Sequence, residues 1–199
     1  MKKEILDTIL TSRSKKQTLA VITRVADGMQ WAMLENDSEN HEVFTPSEID
    51  IIKKSMRDNK SGLISDEKFF THIYTPPLRL IIIGAVHIAQ FLAPMAKVAG
   101  FDVTVVDPRS SFATPSRFPE INLSDEWPDD GISKLKPDTR TAVVTLTHDP
   151  KLDDPALIET LKTPAFYIAS LGGTRTHGKR LERLKSEGFD EKELLRING

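Results

Sequence analysis

The sequence predicts an α/β protein in which a Rossmann-like parallel sheet, with helices on both faces, follows a small α+β domain. From residue 80 onward, apolar strand candidates alternate with amphipathic helical segments, the pattern of a parallel sheet covered by helices. A glycine directly follows the first of these strands, as it does in nucleotide-binding folds. A Pro-Pro pair at 76–77 separates this region from a more mixed pattern, so we expect domains at 1–76 and 77–199.

The first 76 residues combine helix and strand patterns. Helical signals occur at 2–11 and from Thr45, and strand patterns occur at 17–26, 29–35 and 68–75. The two earlier strands flank Asp27-Gly28, a strong signal for a β-hairpin. Thr45-Pro46-Ser47-Glu48 has the residues of a capping box with proline in the first turn, and it predicts a helix start.

Beyond the Pro-Pro pair, the pattern becomes regular. Strand candidates lie at 80–83, 101–106, 141–146 and 165–169, and helical segments lie at 87–99, 155–161 and 176–187. The first strand is apolar on both faces, as a buried parallel strand should be. The first helix has an apolar face made of Ile88, Phe91, Leu92, Met95 and Ala99. Pro94 lies inside this helix and is expected to kink it or to free a carbonyl group.

Composition and charge exclude several classes of protein. Hydrophobic residues make up 39% of the chain and charged residues 28%, which is typical of a globular protein. The 27 basic and 29 acidic residues are balanced in both halves, so we expect no nucleic-acid partner. The longest apolar run, 80–86, is far shorter than the roughly 18–20 residues of a membrane-spanning helix, and we expect no membrane association. The amino terminus has no apolar signal core and cysteine is absent, so we expect a cytoplasmic protein.

Small and charged residues follow each predicted strand of the second domain. They are Gly84 and His87, then Asp107 and Arg109, then His148 and Asp149, and finally Gly172, Gly173 and Arg175. The carboxyl ends of parallel strands meet at one edge of a sheet, where helix N-termini offer free N–H groups. The sequence therefore predicts a site for an anionic ligand along this edge.

The first of these segments is an incomplete dinucleotide fingerprint. Gly84 and Ala89 fit the first and third positions of G-x-G-x-x-G/A, whereas Val86 replaces the glycine that allows close approach of a pyrophosphate. Asp107 lies at about the spacing expected for an acid that binds a ribose. A turn with no ligand explains Gly84 and Asp107 equally well, so a functional and a structural interpretation both remain open.

The later segments allow similar alternatives. Arg109 suits a bidentate phosphate contact but is also explained as a solvated arginine. Gly172-Gly173 followed by Arg175 suits close backbone approach to an anion, with a plain turn as the alternative. The wide spacing of the histidines matches no compact metal motif, so we expect no metal site. The basic run at 179–185 is most simply a solvated helix face with Glu–Arg pairs.

Four motifs thus occur in order: Gly84-Ala85-Val86-His87, Asp107-Pro108-Arg109, Thr147-His148-Asp149, and Leu171-Gly172-Gly173 with Arg175. In this order they resemble the carboxyl-terminal part of the XdhC/CoxI family, accessory proteins of molybdenum hydroxylases such as xanthine dehydrogenase. The resemblance covers nearly all of 77–199, whereas 1–76 matches only loosely.

The resemblance implies a Rossmann-like domain that binds the molybdenum cofactor, of molybdopterin type, and assists its maturation or insertion into a xanthine dehydrogenase-type hydroxylase. It implies a non-catalytic accessory protein, with a cysteine desulfurase and a second copy of the chain as further partners. Its candidate cofactor-binding positions are Gly84, His87, Asp107, Arg109, His148, Asp149, Gly172, Gly173 and Arg175. The family's amino-terminal Gly-Gly-Cys-type motif is missing, so thiol-dependent handling of the cofactor cannot occur in this chain.

Two other functions remain as alternatives. An NAD-dependent oxidoreductase is favoured by Gly84, Ala89 and Asp107, because an acid repels the 2′-phosphate of NADP. Val86 and the lack of a recognisable catalytic acid or base count against it. The other alternative is an interaction scaffold whose nucleotide site has decayed.

Overall fold

A computed structural model describes residues 2–35, 37 and 43–199 and divides the chain into two compact units, Met1–Pro76 and Pro77–Gly199. The amino-terminal unit contains α1 (Lys3–Ser14), β1 (Leu19–Arg24), β2 (Gln30–Leu34), α2 (Pro46–Arg57), β3 (Gly62–Ile64) and β4 (Phe69–Tyr74).

The amino-terminal unit is an antiparallel sheet with two helices. Its strand order is β2-β1-β4-β3, and β1 and β2 form the predicted hairpin through Asp27-Gly28. The predicted capping box is also confirmed, because the Thr45 hydroxyl accepts from the Glu48 N–H at 3.3 Å while the Glu48 carboxylate accepts from the Thr45 N–H at 2.8 Å. The apolar residues of α2 pack against the strands around Phe69, which builds the core of this unit.

The carboxyl-terminal unit alternates strands and helices. It contains β5 (Arg79–Ile83), α3 (His87–Val98), β6 (Asp102–Val106), β7 (Asn122–Ser124), α4 (Pro128–Leu135), β8 (Thr141–Thr145), α5 (Pro150–Leu161), β9 (Tyr167–Ser170), α6 (Thr174–Ser186), α7 (Glu191–Leu194) and β10 (Ile197–Asn198). The six strands form one parallel sheet with the order β10-β9-β8-β5-β6-β7. The chain continues from β5 to β6 on one side and returns to β8 on the other, so the strand order reverses between β5 and β8. In open α/β sheets this reversal opens a crevice at the carboxyl edge.

Alternate residues of β5 face the two helical layers. Ile81 and Ile83 share a core with α4, α5 and α6, whereas Leu80 and Ile82 share a core with α3. The Rossmann-like fold with helices on both faces is therefore confirmed.

The buried face of α3 differs from the apolar face seen in the sequence. Ala89, Ala93 and Ala96 are buried, whereas Phe91 and Met95 are 58% and 68% exposed. Small side chains let the helix lie close to the sheet, which leaves the large apolar residues outside. The helix also continues through Pro94 to Val98.

Other differences concern short elements and one helix start. α5 begins at Pro150 rather than near 155, because the Asp149 carboxylate caps it by accepting from the Lys151 N–H at 3.0 Å. The sequence interpretation missed β3, β7, α4, α7 and β10, of which only α4 exceeds four residues. Across the described ranges, every helix is too short or too polar to cross a bilayer.

Candidate functional site

The candidate site lies at the carboxyl edge of the parallel sheet, in the loops that follow β5, β6, β8 and β9. All the residues predicted for ligand binding are in these loops or in the first turn of the helix that follows. The charged groups after β5 and β6 are paired with each other, whereas some of those after β8 and β9 form no ion pair within the described residues. The edge therefore has two parts.

Gly84 ends β5 in a conformation that requires glycine. Its φ is +105°, and a Cβ atom there would lie 2.4 Å from the Cγ2 atom of Thr147 in the loop after β8. The loops after β5 and β8 are thus in close contact at the point where the strand order reverses. Gly84 makes this contact possible.

Asp107 is bonded to the turn that connects β5 to α3. Its carboxylate is fully buried and accepts the N–H of Ala85 at 2.7 Å. The same carboxylate receives a bidentate pair from Arg109, with Nε at 2.8 Å and Nη2 at 2.7 Å, and the Arg109 N–H at 3.0 Å. The Ala85 N–H lies in the turn between β5 and α3, where a phosphate binds in dinucleotide-binding folds. This N–H is already bonded to the protein's own carboxylate.

The electrostatics of this pair are those of an internal ion pair. Burial acts to raise the pKa of Asp107, but the hydrogen bonds from Arg109 and Ala85 outweigh burial, so the pKa lies below its ordinary value. The hydrogen bond to Asp107 raises the pKa of Arg109, and the charge of Asp149 adds to this effect. Asp107, Arg109 and Asp149 thus form one charged cluster shared by the loops after β6 and β8.

Asp153, on α5, organises the loop after β8. Its carboxylate accepts the Thr147 hydroxyl at 2.6 Å, the Thr147 N–H at 3.3 Å and the His148 N–H at 3.1 Å. These bonds accompany a positive φ of 62° at His148, a conformation that costs free energy in a residue with a side chain. Asp153 is 2% exposed, and this burial raises its pKa despite the hydrogen bonds from Thr147 and the charge of Arg180.

Arg180, on α6, organises the loop after β9 in a similar way. Its guanidinium donates to the carbonyls of Ser170 at 3.2 Å and Leu171 at 3.0 Å. The side chain is 2% exposed, and burial lowers its pKa. Its Nε atom is buried and lacks a hydrogen-bond partner among the described residues.

A cavity of about 300 Å³ opens between the starts of α5 and α6. Its charged and titratable lining consists of His148, Asp153, Arg175, Lys179, Arg180 and Arg183. Arg183 is paired with Asp154 of α5, with Nη2 at 2.9 Å from the carboxylate. Arg175 and Lys179 are exposed and form no ion pair within the described chain. The cavity is therefore positively charged and suits an anion.

The remaining predicted residues take different places. Gly172 lies close to α6, where an added Cβ would approach the Thr176 side chain at 3.3 Å, and Gly173 is the N-cap of α6. His87 lies in a separate groove beside α3, where its ring packs edge-on against Phe91 at 5.1 Å. The structure thus brings His148 and Arg175 to one cavity but places His87 elsewhere. Within the described residues, no three His, Asp or Glu side chains are arranged to hold a metal ion.

The sequence interpretation missed Asp153 and the cationic face of α6. Arg175, Lys179 and Arg183 recur every four residues, a spacing that places three cations on one helical face and could have indicated the cavity. The interpretation of 179–185 as a solvated face with Glu–Arg pairs is wrong. Arg180 is buried, and Arg183 pairs with Asp154 on a different helix.

Comparison with known proteins agrees with this geometry. The model of a family described as the XdhC Rossmann domain matches residues 80–199. The chain is 30% identical over 124 residues to the molybdenum cofactor insertion chaperone PaoD of Escherichia coli (strain K12), an alignment covering 62% of this chain and 33% of PaoD. It is 26% identical over 124 residues to the uncharacterized protein YqeB of the same organism, covering 60% of this chain and 22% of YqeB. The chain thus aligns with a third or less of the length of each relative.

A solved structure supports the fold. A crystal structure described as a xanthine dehydrogenase from Bacillus halodurans superimposes with a TM-score of 0.69 at 22% sequence identity. The match covers 90% of this chain and 55% of the other. The family match covers more than half of the chain, including every loop of the candidate site, and the chain therefore belongs to the XdhC family.

Proposed function

We propose that this chain binds the molybdenum cofactor at the carboxyl edge of its parallel sheet and assists insertion of the cofactor into a molybdenum hydroxylase. Membership of the XdhC family supports this function, as does the similarity to a relative named as a molybdenum cofactor insertion chaperone. In this proposal the chain is an accessory protein rather than a turnover enzyme, and 77–199 is its cofactor-binding domain.

The observation that carries the proposal is the cationic cavity between α5 and α6, beside the loops that follow β8 and β9. Arg175 and Lys179 line it and form no ion pair within the described residues, so their charges are available to an anionic ligand. The buried Nε of Arg180 is a further polar group without a partner in the described chain. Molybdopterin carries a phosphate group, which fits such a lining.

The predicted cofactor-binding residues receive two roles in this proposal. His148 and Arg175 line the cavity and would contact the cofactor, with Gly172 and Gly173 allowing close approach of the chain before α6. Asp107 and Arg109 would instead shape the edge, because their charges are used in pairing with each other. Gly84 would keep the loops after β5 and β8 in contact.

The NAD-dependent alternative receives no specific support from the described residues. Both carboxylate oxygens of Asp107 accept hydrogen bonds from Ala85 and Arg109, so this acid is not available to bind a ribose. Val86 is the N-cap residue of α3 and has no side chain able to cap the helix or to donate to a phosphate.

The partner that follows from the proposal is an apo-hydroxylase of the xanthine dehydrogenase type. A cysteine desulfurase, a second copy of the chain and a cytoplasmic location remain predictions.

A direct test measures the cofactor itself. The full chain would be titrated anaerobically with molybdenum cofactor released from a purified molybdoenzyme, and bound pterin would be quantified by the fluorescence of its oxidised form. We expect saturable binding, and transfer of the bound cofactor to an apo-hydroxylase measured as recovered hydroxylase activity.

Two variants of α6 provide a matched comparison. Arg175→Gln removes a cation from the cavity, and we expect it to weaken cofactor binding about tenfold. Lys185→Gln removes a cation that lies outside this cavity and should leave binding within twofold. Absence of saturable binding by the unmodified chain would contradict the proposed function.

A further inference from the structure

The cationic face of α6 is unusual because it is not neutralised within its own helix. Arg175, Lys179 and Arg183 stand four residues apart, a spacing at which like charges repel and destabilise a helix. Of the three, only Arg183 has a carboxylate partner among the described residues, Asp154. The other two cations line the same cavity and form no ion pair within the described residues.

A buried charge adds to this field. The Arg180 guanidinium forms part of the cavity wall and is 2% exposed, and its hydrogen bonds go to two carbonyl oxygens and to the His177 ring. Its desolvation is offset only in part by the charges of Asp153 and Asp154, because the pKa of Arg180 stays below its ordinary value. Its Nε has no partner within the described chain. A guanidinium withdrawn from water in this way keeps its charge at the cost of desolvation, which an adjacent anion would reduce.

The carboxylate in the wall does not cancel these charges. Asp153 directs its oxygens to Thr147 and His148 of the neighbouring loop, so its hydrogen-bonding capacity is used inside the fold. Asp153 and Asp154 together oppose four cationic side chains, and the lining keeps a net positive charge.

The backbone at the N-terminus of α6 also favours an anion. Its N-cap is Gly173, which has no side chain to bond the first-turn N–H groups, and these groups have no acceptor inside a helix. Helix N-termini of this kind favour negative charge. The turn between β5 and α3 differs, because the Asp107 carboxylate already accepts the N–H of Ala85, the residue that precedes the N-cap Val86.

We propose that the cavity between α5 and α6 is the subsite for the phosphate or pyrophosphate group of a small-molecule ester. The phosphate is held at the last strand-to-helix turn, after β9, rather than at the first turn, after β5. The inference rests on the proposed function in that it names the part of the cofactor that this cavity receives. Arg175 and Lys179 supply the charge, and Arg180 fixes the loop and adds to the field.

The test uses inorganic phosphate and pyrophosphate as probes on the full chain. We expect saturable binding of pyrophosphate, measured by titration calorimetry at low ionic strength, with tighter binding than for phosphate. Lys179→Gln and Arg175→Gln should each weaken pyrophosphate binding about tenfold. The control Lys185→Gln, on the same helix but outside the cavity, should change it less than twofold. Equal weakening by all three variants would show a non-specific charge effect and overturn the proposal.

The location is tested separately by nuclear magnetic resonance of the ¹⁵N-labelled full chain. Pyrophosphate should shift the amide signals of 172–179, with little change at 84–89. Shifts centred on 84–89 would overturn the assignment of the subsite to α6.

Failure of the phosphate subsite can be distinguished from failure of the proposed function. Cofactor binding without saturable binding of pyrophosphate would overturn the phosphate subsite and leave the accessory role intact. Pyrophosphate binding at α6 without cofactor binding would contradict the accessory role and keep the subsite. A nucleoside diphosphate that binds at 172–179 more tightly than molybdopterin does would assign the subsite to a nucleotide ligand and count against the proposed function.

Discussion

The two parts of the sheet edge use similar residues in opposite ways. After β5 and β6, the carboxylate of Asp107 and the guanidinium of Arg109 are bonded to each other and to the backbone, so the first turn is closed by the protein itself. After β8 and β9, Asp153 and Arg180 each hold a loop, and the exposed cations beside them face a cavity.

This comparison shows that a motif's residue types do not reveal whether its charges are available. Asp107-Pro108-Arg109 has the residues of a phosphate and ribose site, yet its charges are internally paired. Lys179 and Arg183 of α6 belong to no motif, yet they line the cavity. Pairing, rather than residue type, separates the charges used inside the fold from those that form no ion pair among the described residues.

The largest expected effect is on the closed part of the edge, at Gly84. Gly84→Ala should lower the free energy of unfolding by about 4 kcal/mol, because it combines a strained positive φ with a close contact to Thr147. Denaturant unfolding measures the loss. Gly100→Ala is the matched control, since its φ of +91° is similarly positive but nothing lies within 4 Å of the added Cβ. An equal loss in both variants would mean that the contact with Thr147 contributes nothing to the loss. As a second check, adding Thr147→Ser should restore part of the lost stability in Gly84→Ala and none in Gly100→Ala.

A somewhat smaller loss is expected when the internal ion pair is broken. Arg109→Gln leaves the buried Asp107 carboxylate without its bidentate partner and should destabilise the carboxyl-terminal unit by about 3 kcal/mol. Chemical denaturation of the full chain gives the value. Lys134→Gln removes an exposed cation from its ion pair with Glu126 and should cost less than about 1 kcal/mol. A similar small cost for Arg109→Gln would show that Asp107 does not depend on this arginine.

The two buried carboxylates of the sheet edge, Asp107 and Asp153, should respond to pH in opposite directions. The pKa of Asp107 is lowered by folding, so its contribution to stability is present above about pH 4, the ordinary range for aspartate, and is lost as pH falls below it. The pKa of Asp153 is raised, so the folded state holds its proton more tightly and stability falls as pH rises from about pH 4 through the raised pKa.

Both directions of pH dependence are tested by measuring the free energy of unfolding over a pH series, with Asp107→Asn and Asp153→Asn as reference variants. The stability advantage of the unmodified chain over Asp107→Asn should shrink with acid, and its advantage over Asp153→Asn should shrink with rising pH. Parallel trends in the two series would contradict the contrast between the two carboxylates.

The smallest effect is expected in the open part of the edge. Lys179→Gln should leave stability unchanged or raise it by about 0.3 kcal/mol, since it relieves repulsion with Arg175 and Arg183 without breaking an ion pair in the described chain. Thermal unfolding in the absence of ligand measures this change. A loss above about 1 kcal/mol would place Lys179 among the structural charges instead.

The fold was predictable because its local signals agree with its tertiary structure. The apolar run at 80–83 and the glycine after it predict a central strand and a sharp turn, and both occur. The capping box at Thr45 is likewise a local signal that needs no tertiary information. The buried face of α3 was not predictable in this way, because Ala89, Ala93 and Ala96 are buried through close approach to the sheet rather than through hydrophobic size.

The site was predictable only to the level of the edge. Topology alone brings the loops after the strands together, so the order of the motifs was enough to place Asp107, His148 and Arg175 at one edge. The pairing of Arg109 with Asp107, and of Arg183 with Asp154, depends on side-chain geometry that spacing does not encode. Asp153 gave no signal because it acts through hydrogen bonds to the Thr147 hydroxyl and the His148 N–H, which depend on the loop conformation and not on a spacing that the sequence displays.

The hydrogen bonds from Arg180 to the carbonyls of Ser170 and Leu171 link the movement of α6 to that of the strand end. Because Arg180 of α6 donates to the carbonyls at the end of β9, a shift of α6 must either carry the strand end with it or break these bonds. A displacement of α6 that keeps these two hydrogen bonds therefore moves the end of β9 as well. The backbone amides near 170, rather than those of the exposed helix surface, should report such a movement through altered hydrogen-exchange rates.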